Sequence, residues 1–308
     1  MCGTLTHSWY TRLPEAQLFR ASGKDIARYL QARLTNDIRM VSAEKSILAA
    51  ALDPTGKPQG VFTVSRPTSE DEFLLLSDGG DATEVLQALL RFRVADRVEI
   101  EPVLHHVVYY LNSPSQKLTL PMEDTFLQHE PSGQEQRGAE PGCYVTLPVD
   151  HSPTFEESLD GKLEQISDAC ALASRIRFHR PAFPSEILPS RIFSEANLLS
   201  AISNTKGCYA GQEVIERSLS RGRPPKVIRS ISVDGAPPPA SSAVYLHDNG
   251  SDVADRTVAD RTPVGIVLAS TIDPTSVEPE IALAFIHIRT EHAEKPLELE
   301  DGRRLSLI

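Results

Sequence analysis

Residues 204–217 read Asn-Thr-Lys-Gly-Cys-Tyr-Ala-Gly-Gln-Glu-Val-Ile-Glu-Arg and place one cysteine, Cys208, in a tight loop between two glycines, Gly207 and Gly211. From Gln212 to Ser220 the pattern is that of a surface helix. Val214 and Ile215 are adjacent, Leu219 follows one turn later, and Glu213 precedes Arg217 by four residues. The loop therefore runs into a helix N-terminus. Unpaired backbone N–H groups, the positive end of the helix dipole and the nearby Lys206 all favour thiolate over thiol there. A cysteine so placed suits a nucleophile, a redox thiol or a metal ligand. Against this, a lone cysteine is most often a small buried apolar residue, and glycines recur wherever backbone must bend.

Upstream, the first hundred residues alternate strand and helix signals. Gln17–Ala21, Ile47–Leu52, Val61–Ser65, Phe73–Ser77 and Val98–Val103 read as strands. Ile26, Tyr29, Leu30 and Leu34 mark one helix face, and Val85, Leu86, Leu89 and Leu90 another. Asp53-Pro54-Thr55-Gly56-Lys57 is a hairpin turn, with Pro setting φ and Gly permitting positive φ. A strand over His106–Asn112 opens a second α+β unit. It continues through a turn-rich stretch with a surface loop at 128–142 to the longest helix, with Leu163, Ile166, Ala169 or Cys170, Ala173 and Ile176 on one face. After Lys226 the period changes to two. Ile228–Val233, Val244–His247, Gly265–Ser270, Ile281–Ile288, Leu297–Leu299 and Leu305–Ile308 predict six short strands, which suit a small closed barrel. The expected fold class is α+β: residues 1–103 and 104–225 as two α+β subdomains, and 226–308 as an antiparallel barrel.

Composition narrows the function. The 308 residues hold 31 Lys and Arg against 42 Asp and Glu, a net charge of −11, so no global basic field draws nucleic acid and any such contact is local. One local exception lies between 204 and 230, where Lys206, Arg217, Arg221, Arg223, Lys226 and Arg229 face only Glu213 and Glu216. This stretch suits a polyglutamate tail, tRNA or an acidic partner, or is simply a solvated helix end. Cys2, Cys143, Cys170 and Cys208 are scattered without C-x-x-C spacing, which points to a reducing compartment and away from a preformed structural metal site. The Asn249-Gly250-Ser251 sequon carries no weight without a secretory signal. No apolar run approaches about 20 residues, so no membrane partner is expected. Met1–Tyr10 has neither a signal-peptide core nor an Arg-rich amphipathic stretch. The expected compartment is the cytoplasm, or the mitochondrial matrix if a targeting peptide was trimmed. Nucleotide-binding, nucleophile-elbow and zincin motifs are missing from the sequence.

Lys206-Gly207-Cys208-Tyr209-Ala210-Gly211-Gln212-Glu213 resembles the signature of the YgfZ family, folate-binding-type iron-sulfur cluster assembly and repair proteins related to the glycine-cleavage T-protein. Leu30-Gln31-Ala32-Arg33-Leu34-Thr35-Asn36-Asp37 and Leu52-Asp53-Pro54-Thr55-Gly56-Lys57 resemble two further family segments, and Pro263-Val264-Gly265-Ile266-Val267 a barrel strand. The resemblance implies two α+β subdomains and a C-terminal barrel around a central opening for tetrahydrofolate. It also implies iron-sulfur client proteins and cluster carriers as partners, and a transient cluster with Cys208 as a shared ligand. The activity implied is a maturation factor that does not turn over, with a folate-dependent aminomethyltransferase-like enzyme or a tRNA-modification accessory factor as alternatives. The chain departs from the family at one point. Where relatives carry Arg-x-Glu-Ala-Gly, this chain reads Arg175-Ile176-Arg177-Phe178-His179, and an arginine cannot accept hydrogen bonds from a pterin. Glu186 and Glu195 follow as possible substitutes.

Weighed singly, Cys208 is the leading functional residue. Lys206 would lower its pKa or bind an anion, against an ordinary exposed lysine. Gly207 and Gly211 would supply backbone that a Cβ forbids. Tyr209 packs or acts with equal weight. Gln212 and Glu213 divide between helix capping and function, and Arg217, Arg177 and Glu195 complete the candidate ligand-binding set.

Overall fold

The computed structural model describes residues 8–67, 71–112, 125–129, 142–220, 223–247, 261–276 and 280–308. The sequon at 249–251, Cys2, Arg221 and most of the loop expected over 128–142 lie outside them. The first described strand is β1 (Trp9–Arg12), and it does not join the elements that follow it. Next come β2 (Gln17–Ser22), α1 (Ile26–Arg33), β3 (Ile47–Leu52), β4 (Pro58–Ser65), β5 (Glu72–Ser77), α2 (Ala82–Leu90) and β6 (Glu99–Pro102). The five strands pair antiparallel in the order β3-β4-β5-β2-β6. Helices α1 and α2 bury Ile26, Tyr29, Leu30, Val85 and Leu89 against Phe19, Phe62 and Phe73 of this sheet. The β3–β4 hairpin forms as its turn chemistry dictates. The Asp53 carboxylate accepts the Thr55 and Lys57 N–H groups at 2.8 and 3.0 Å, and Gly56 sits at φ +79°.

The second unit contains β7 (His106–Asn112), β8 (Phe126–His129), β9 (Cys143–Pro148), α3 (Ser152–Leu159), β10 (Glu164–Gln165) and α4 (Asp168–Arg177). Its sheet runs β10-β1-β7-β9-β8, so the chain's first described strand belongs here and not with residues up to 103. Aromatic pairing accounts for the choice: Trp9 lies 5.5 Å from Tyr110 and Tyr10 lies 6.2 Å from Tyr109, ring centre to ring centre. The helix expected from Leu163 onward is shorter than its apolar spacing predicts. Ser167 caps α4 by accepting the Cys170 N–H, which leaves Leu163 and Ile166 on either side of β10. Helix α3, with proline in its first turn, was not expected from the sequence.

The remainder is a closed barrel of β11 (Lys226–Asp234), β12 (Ala243–Leu246), β13 (Gly265–Ile272), β14 (Ile281–Arg289), β15 (Leu297–Leu299) and β16 (Arg304–Leu307). These are the six strands that the period-two pattern predicts. The three units meet in one apolar cluster: Leu52 and Val61 from the first sheet, Ile176 and Phe183 from the second unit, Tyr209 and Ile215 from the motif, and Ile228 and Phe285 from the barrel.

Candidate functional site

The motif loop ends where α5 (Gln212–Ser220) begins, and it is held from three sides. Lys206 is 7% exposed, and its ammonium donates to the carbonyls of Leu34 and Asn36, the latter at 2.9 Å. Burial pulls the Lys206 pKa down to about 8; Asp37 opposes this and Arg39 adds to it. Beside this anchor, Thr35 Oγ1 donates to the Ala201 carbonyl at 2.6 Å, Asn36 Nδ2 to that of Ser200 at 2.8 Å, and the Ser203 N–H returns to the Thr35 carbonyl at 3.0 Å. Gly211 sits at φ +81°, and a Cβ there would lie 2.6 Å from the Asp53 carbonyl and 3.0 Å from Leu52. Gly56 of the hairpin turn faces Val214 of α5 in the same way, and its carbonyl accepts the Phe193 N–H at 2.9 Å. Three of the four segments that resemble the family thus converge on one assembly.

Upon this platform Cys208 is a free and exposed thiol. The expected help from Lys206 is absent from the geometry, because its ammonium is spent on Leu34 and Asn36 and lies 5.2 Å from the Tyr209 ring centre. Gly207 also departs from expectation. It has no positive φ, and a Cβ there would meet nothing within 4 Å, so it leaves open space beside the thiol instead of relieving a clash. Tyr209 packs: it is buried, and burial first, then the Glu216 charge, raises its hydroxyl pKa to about 12. Gln212 accepts the Tyr209 N–H at 3.3 Å and so fastens the start of the helix, while Glu213 and Arg217 pair on its outer face at 2.5 Å. Of the four cysteines, Cys170 is in a disulfide, contrary to the expectation of reduced thiols drawn from their spacing.

The remaining candidates lie elsewhere. Arg177 leaves the end of α4 toward the barrel, where it donates to both Asp273 carboxylate oxygens at 2.7 and 2.6 Å and to Thr275 at 2.9 Å. Its position is that of an inter-unit tie. Placing the family's glutamate there, Arg177→Glu, would face it with the buried Asp273 and is expected to cost about 2 kcal/mol, read as a lower urea midpoint. Glu195 is buried and accepts from His287 Nε2 at 2.9 Å, and Glu186 pairs with Arg175. The space between Glu186, Arg191, Glu195 and His287 measures only about 10 Å³, so no opening for a pterin exists at these carboxylates. A cavity of about 700 Å³ lies between the second sheet, α4 and the residues that follow β5. Trp9, Tyr110, Tyr144 and Phe183 form its aromatic walls, with Asp78, Arg175 and Arg180 among its polar groups. The sequence gives no direct sign of it, because Trp9 comes from a strand whose pairing partner is 100 residues away.

In the basic stretch, Arg217 is engaged by Glu213 and Arg229 by Glu294, which leaves Arg223 exposed and Lys226 half-buried among the described residues. No helix among the described residues is long and apolar enough to cross a membrane.

No protein-family model matches the chain. A protein of Haemophilus influenzae described as uncharacterized is 26% identical over 221 residues, 70% of each chain. The tRNA-modifying protein YgfZ of Hamiltonella defensa is 26% identical over 273 residues, 82% of this chain and 76% of its own. That of Yersinia pestis is 26% identical over 243 residues, 74% of this chain and 72% of its own. Among solved structures, the glycine cleavage system aminomethyltransferase T of Bartonella henselae superposes with a TM-score of 0.78 at 16% identity, covering 98% of this chain and 85% of that one. With the Lys206–Glu213 motif seated on that fold, the chain is similar to the YgfZ proteins over 74 to 82% of its length.

Proposed function

We propose that the protein is a maturation or repair factor for iron-sulfur proteins, with Cys208 as its working thiol and tRNA modification as the process it serves. One observation carries the reading: Cys208 is free and exposed on a loop that is otherwise fastened, by Lys206 to the first unit and by Gly211 against the Leu52–Gly56 turn. One thiolate supplies one of the several ligands a cluster needs. Among the described residues no group of His, Cys, Asp and Glu is arranged to hold a metal ion. In this reading the cluster is cargo in transit, and its other ligands come from a carrier or client docked at the thiol. The names of the relatives support the link to tRNA modification, and cluster-dependent enzymes that thiolate tRNA are then the clients. In a strain lacking its own YgfZ, Cys208→Ser is expected to drop thiolated tRNA and iron-sulfur enzyme activity to the empty-vector level, with an unchanged melting temperature. Full activity of the variant would sink the proposal.

A second reading, folate-linked one-carbon chemistry, is favoured by the 700 Å³ cavity. Its size is that of a small-molecule site. Its aromatic walls suit a stacked pterin, Asp78 offers an acceptor, and Arg175 and Arg180 suit a carboxylate tail. The single tryptophan of the chain, Trp9, lines this cavity and is a built-in reporter. Tetrahydrofolate binding there should quench Trp9 emission, and Arg180→Ala should weaken the quench. A calorimetric titration with neither heat nor quench would exclude folate.

A further inference from the structure

Beside the motif loop lies a depression of about 390 Å³, bounded by α1, the residues after α2, Pro54 of the hairpin turn, and Ala210 and Gly211. Arg33, from the last turn of α1, lines it although it is only 3% exposed. Its guanidinium donates to the Ala88 carbonyl at 2.9 Å, while its buried Nε–H has no partner. Among the described residues no carboxylate pairs with it; the charged and polar neighbours that act on it are Tyr29 and Arg91. The Ala88 carbonyl, near the end of α2, offers a partial negative charge and not a whole one. Burying an arginine without a counter-charge is costly, and such a group facing an open depression is placed to meet an anion.

The surroundings specify the anion further. Arg28 stands on the same helix, exposed, and shared with Asp25 and Asp96 at 3.5 and 2.5 Å. Phe92 covers Arg33, with its ring centre 4.5 Å from the guanidinium, yet is 44% exposed. It stands between Arg91 and Arg93, two residues before Val94, which is 94% exposed. Across residues 24–33 and 91–98 six Lys and Arg face two Asp, in a protein whose net charge is −11. A solvent-facing aromatic flanked by arginines is the arrangement on which nucleic-acid bases stack while their backbone is neutralised. An acidic peptide would use the arginines and leave the aromatic idle.

We propose that this depression is a phosphate site for single-stranded RNA, in which Arg33 and Arg28 hold a phosphate and Phe92 carries the adjoining base, so that the strand lies against the Cys208 loop. The proposal names the surface for the tRNA link in the reading above and rests on that link only for its biological setting. The test is fluorescence anisotropy of a labelled single-stranded RNA octamer at low salt, competed by AMP and by inorganic phosphate, with the full chain. The octamer is expected to bind more tightly than AMP, and phosphate to compete weakly. Phe92→Ala and Arg28→Ala, both at exposed positions, should each weaken the octamer roughly 5- to 100-fold, the range for loss of one stacked base. Arg33→Met should abolish binding, and Arg223→Ala should leave it unchanged. No binding, binding untouched by Phe92→Ala and Arg28→Ala, or loss through Arg223 alone would each overturn the site. AMP binding as tightly as the octamer would overturn the strand and leave a free nucleotide. Cys208→Ser should bind RNA normally, so the failure of the thiol reading and the failure of this one remain distinguishable.

Discussion

Gly211→Ala is expected to lower the stability of the protein by about 3 kcal/mol, the sum of roughly 1–3 kcal/mol for a left-handed non-glycine backbone and a comparable cost of overpacking. The added methyl has nowhere to go. It would stand 2.6 Å from a backbone carbonyl, that of Asp53, and 3.0 Å from the Leu52 side chain, and the φ of +81° is itself unsuited to alanine. Relief requires the hairpin turn and the start of α5 to separate, which also loosens the Gly56–Val214 contact on the other side of the seam. A domain typically has only about 5–15 kcal/mol in hand, so the variant should melt several degrees lower and lose function with its loop. Gly207→Ala is the matched control from the same motif. With open space around its Cβ it should leave the melt unchanged within about 0.5 kcal/mol. If the two variants melt alike, the clamp at Gly211 is not what holds the loop.

Lys206→Met is expected to cost about 2 kcal/mol at pH 7 and more in alkali. The methionine fills the space but leaves the Leu34 and Asn36 carbonyls, buried with the ammonium, without their donor. The pH dependence follows from the proton balance. In the fold the lysine titrates near pH 8 and in the unfolded chain near its ordinary 10.5. Below pH 8 both states hold the proton. Between these values the unfolded chain holds more protons than the fold, so stability attributable to this residue rises with pH, by up to about 3 kcal/mol at full deprotonation. Methionine lacks that gain. Urea titrations at pH 7, 9 and 10 should therefore show the gap between wild type and variant widening with pH; a constant or narrowing gap would contradict the buried amine. Cys208→Ser should leave both curves in place, which separates the residue that anchors the loop from the one it presents.

The features that were legible in the sequence are those with local physical signatures. The Asp53–Lys57 turn follows from Pro and Gly backbone preferences, α5 from a four-residue charge pair and an apolar face, and the barrel from period-two alternation. What escaped depends on distant pairing. Trp9 and Tyr10 give no hint that their partners are Tyr109 and Tyr110. Leu163 and Ile166 keep helical spacing with Ile176 although a capping serine at 167 separates them. Arg177 reads as a lost acidic contact, and only the fold reveals Asp273 opposite. Lys206 lies two residues from Cys208 in the chain and suggests a charge aimed at the thiol; the backbone between them turns that charge away. Arg33 reads as an ordinary cation at a helix end, and only its burial without a carboxylate marks it out.

The bonds that hold the motif loop join residues about 170 positions apart, from Leu34 and Asn36 to Lys206 and from Thr35 to Ala201. Contacts of such sequence separation form late, because the intervening chain must first be ordered. During synthesis the thiol is therefore not displayed until both flanking units have folded and met. A chain lacking residues 1–36 would keep Cys208 and the whole of α5 and still lack the anchor that presents them. The motif loop is thus fully fastened only in a molecule whose beginning has found its middle.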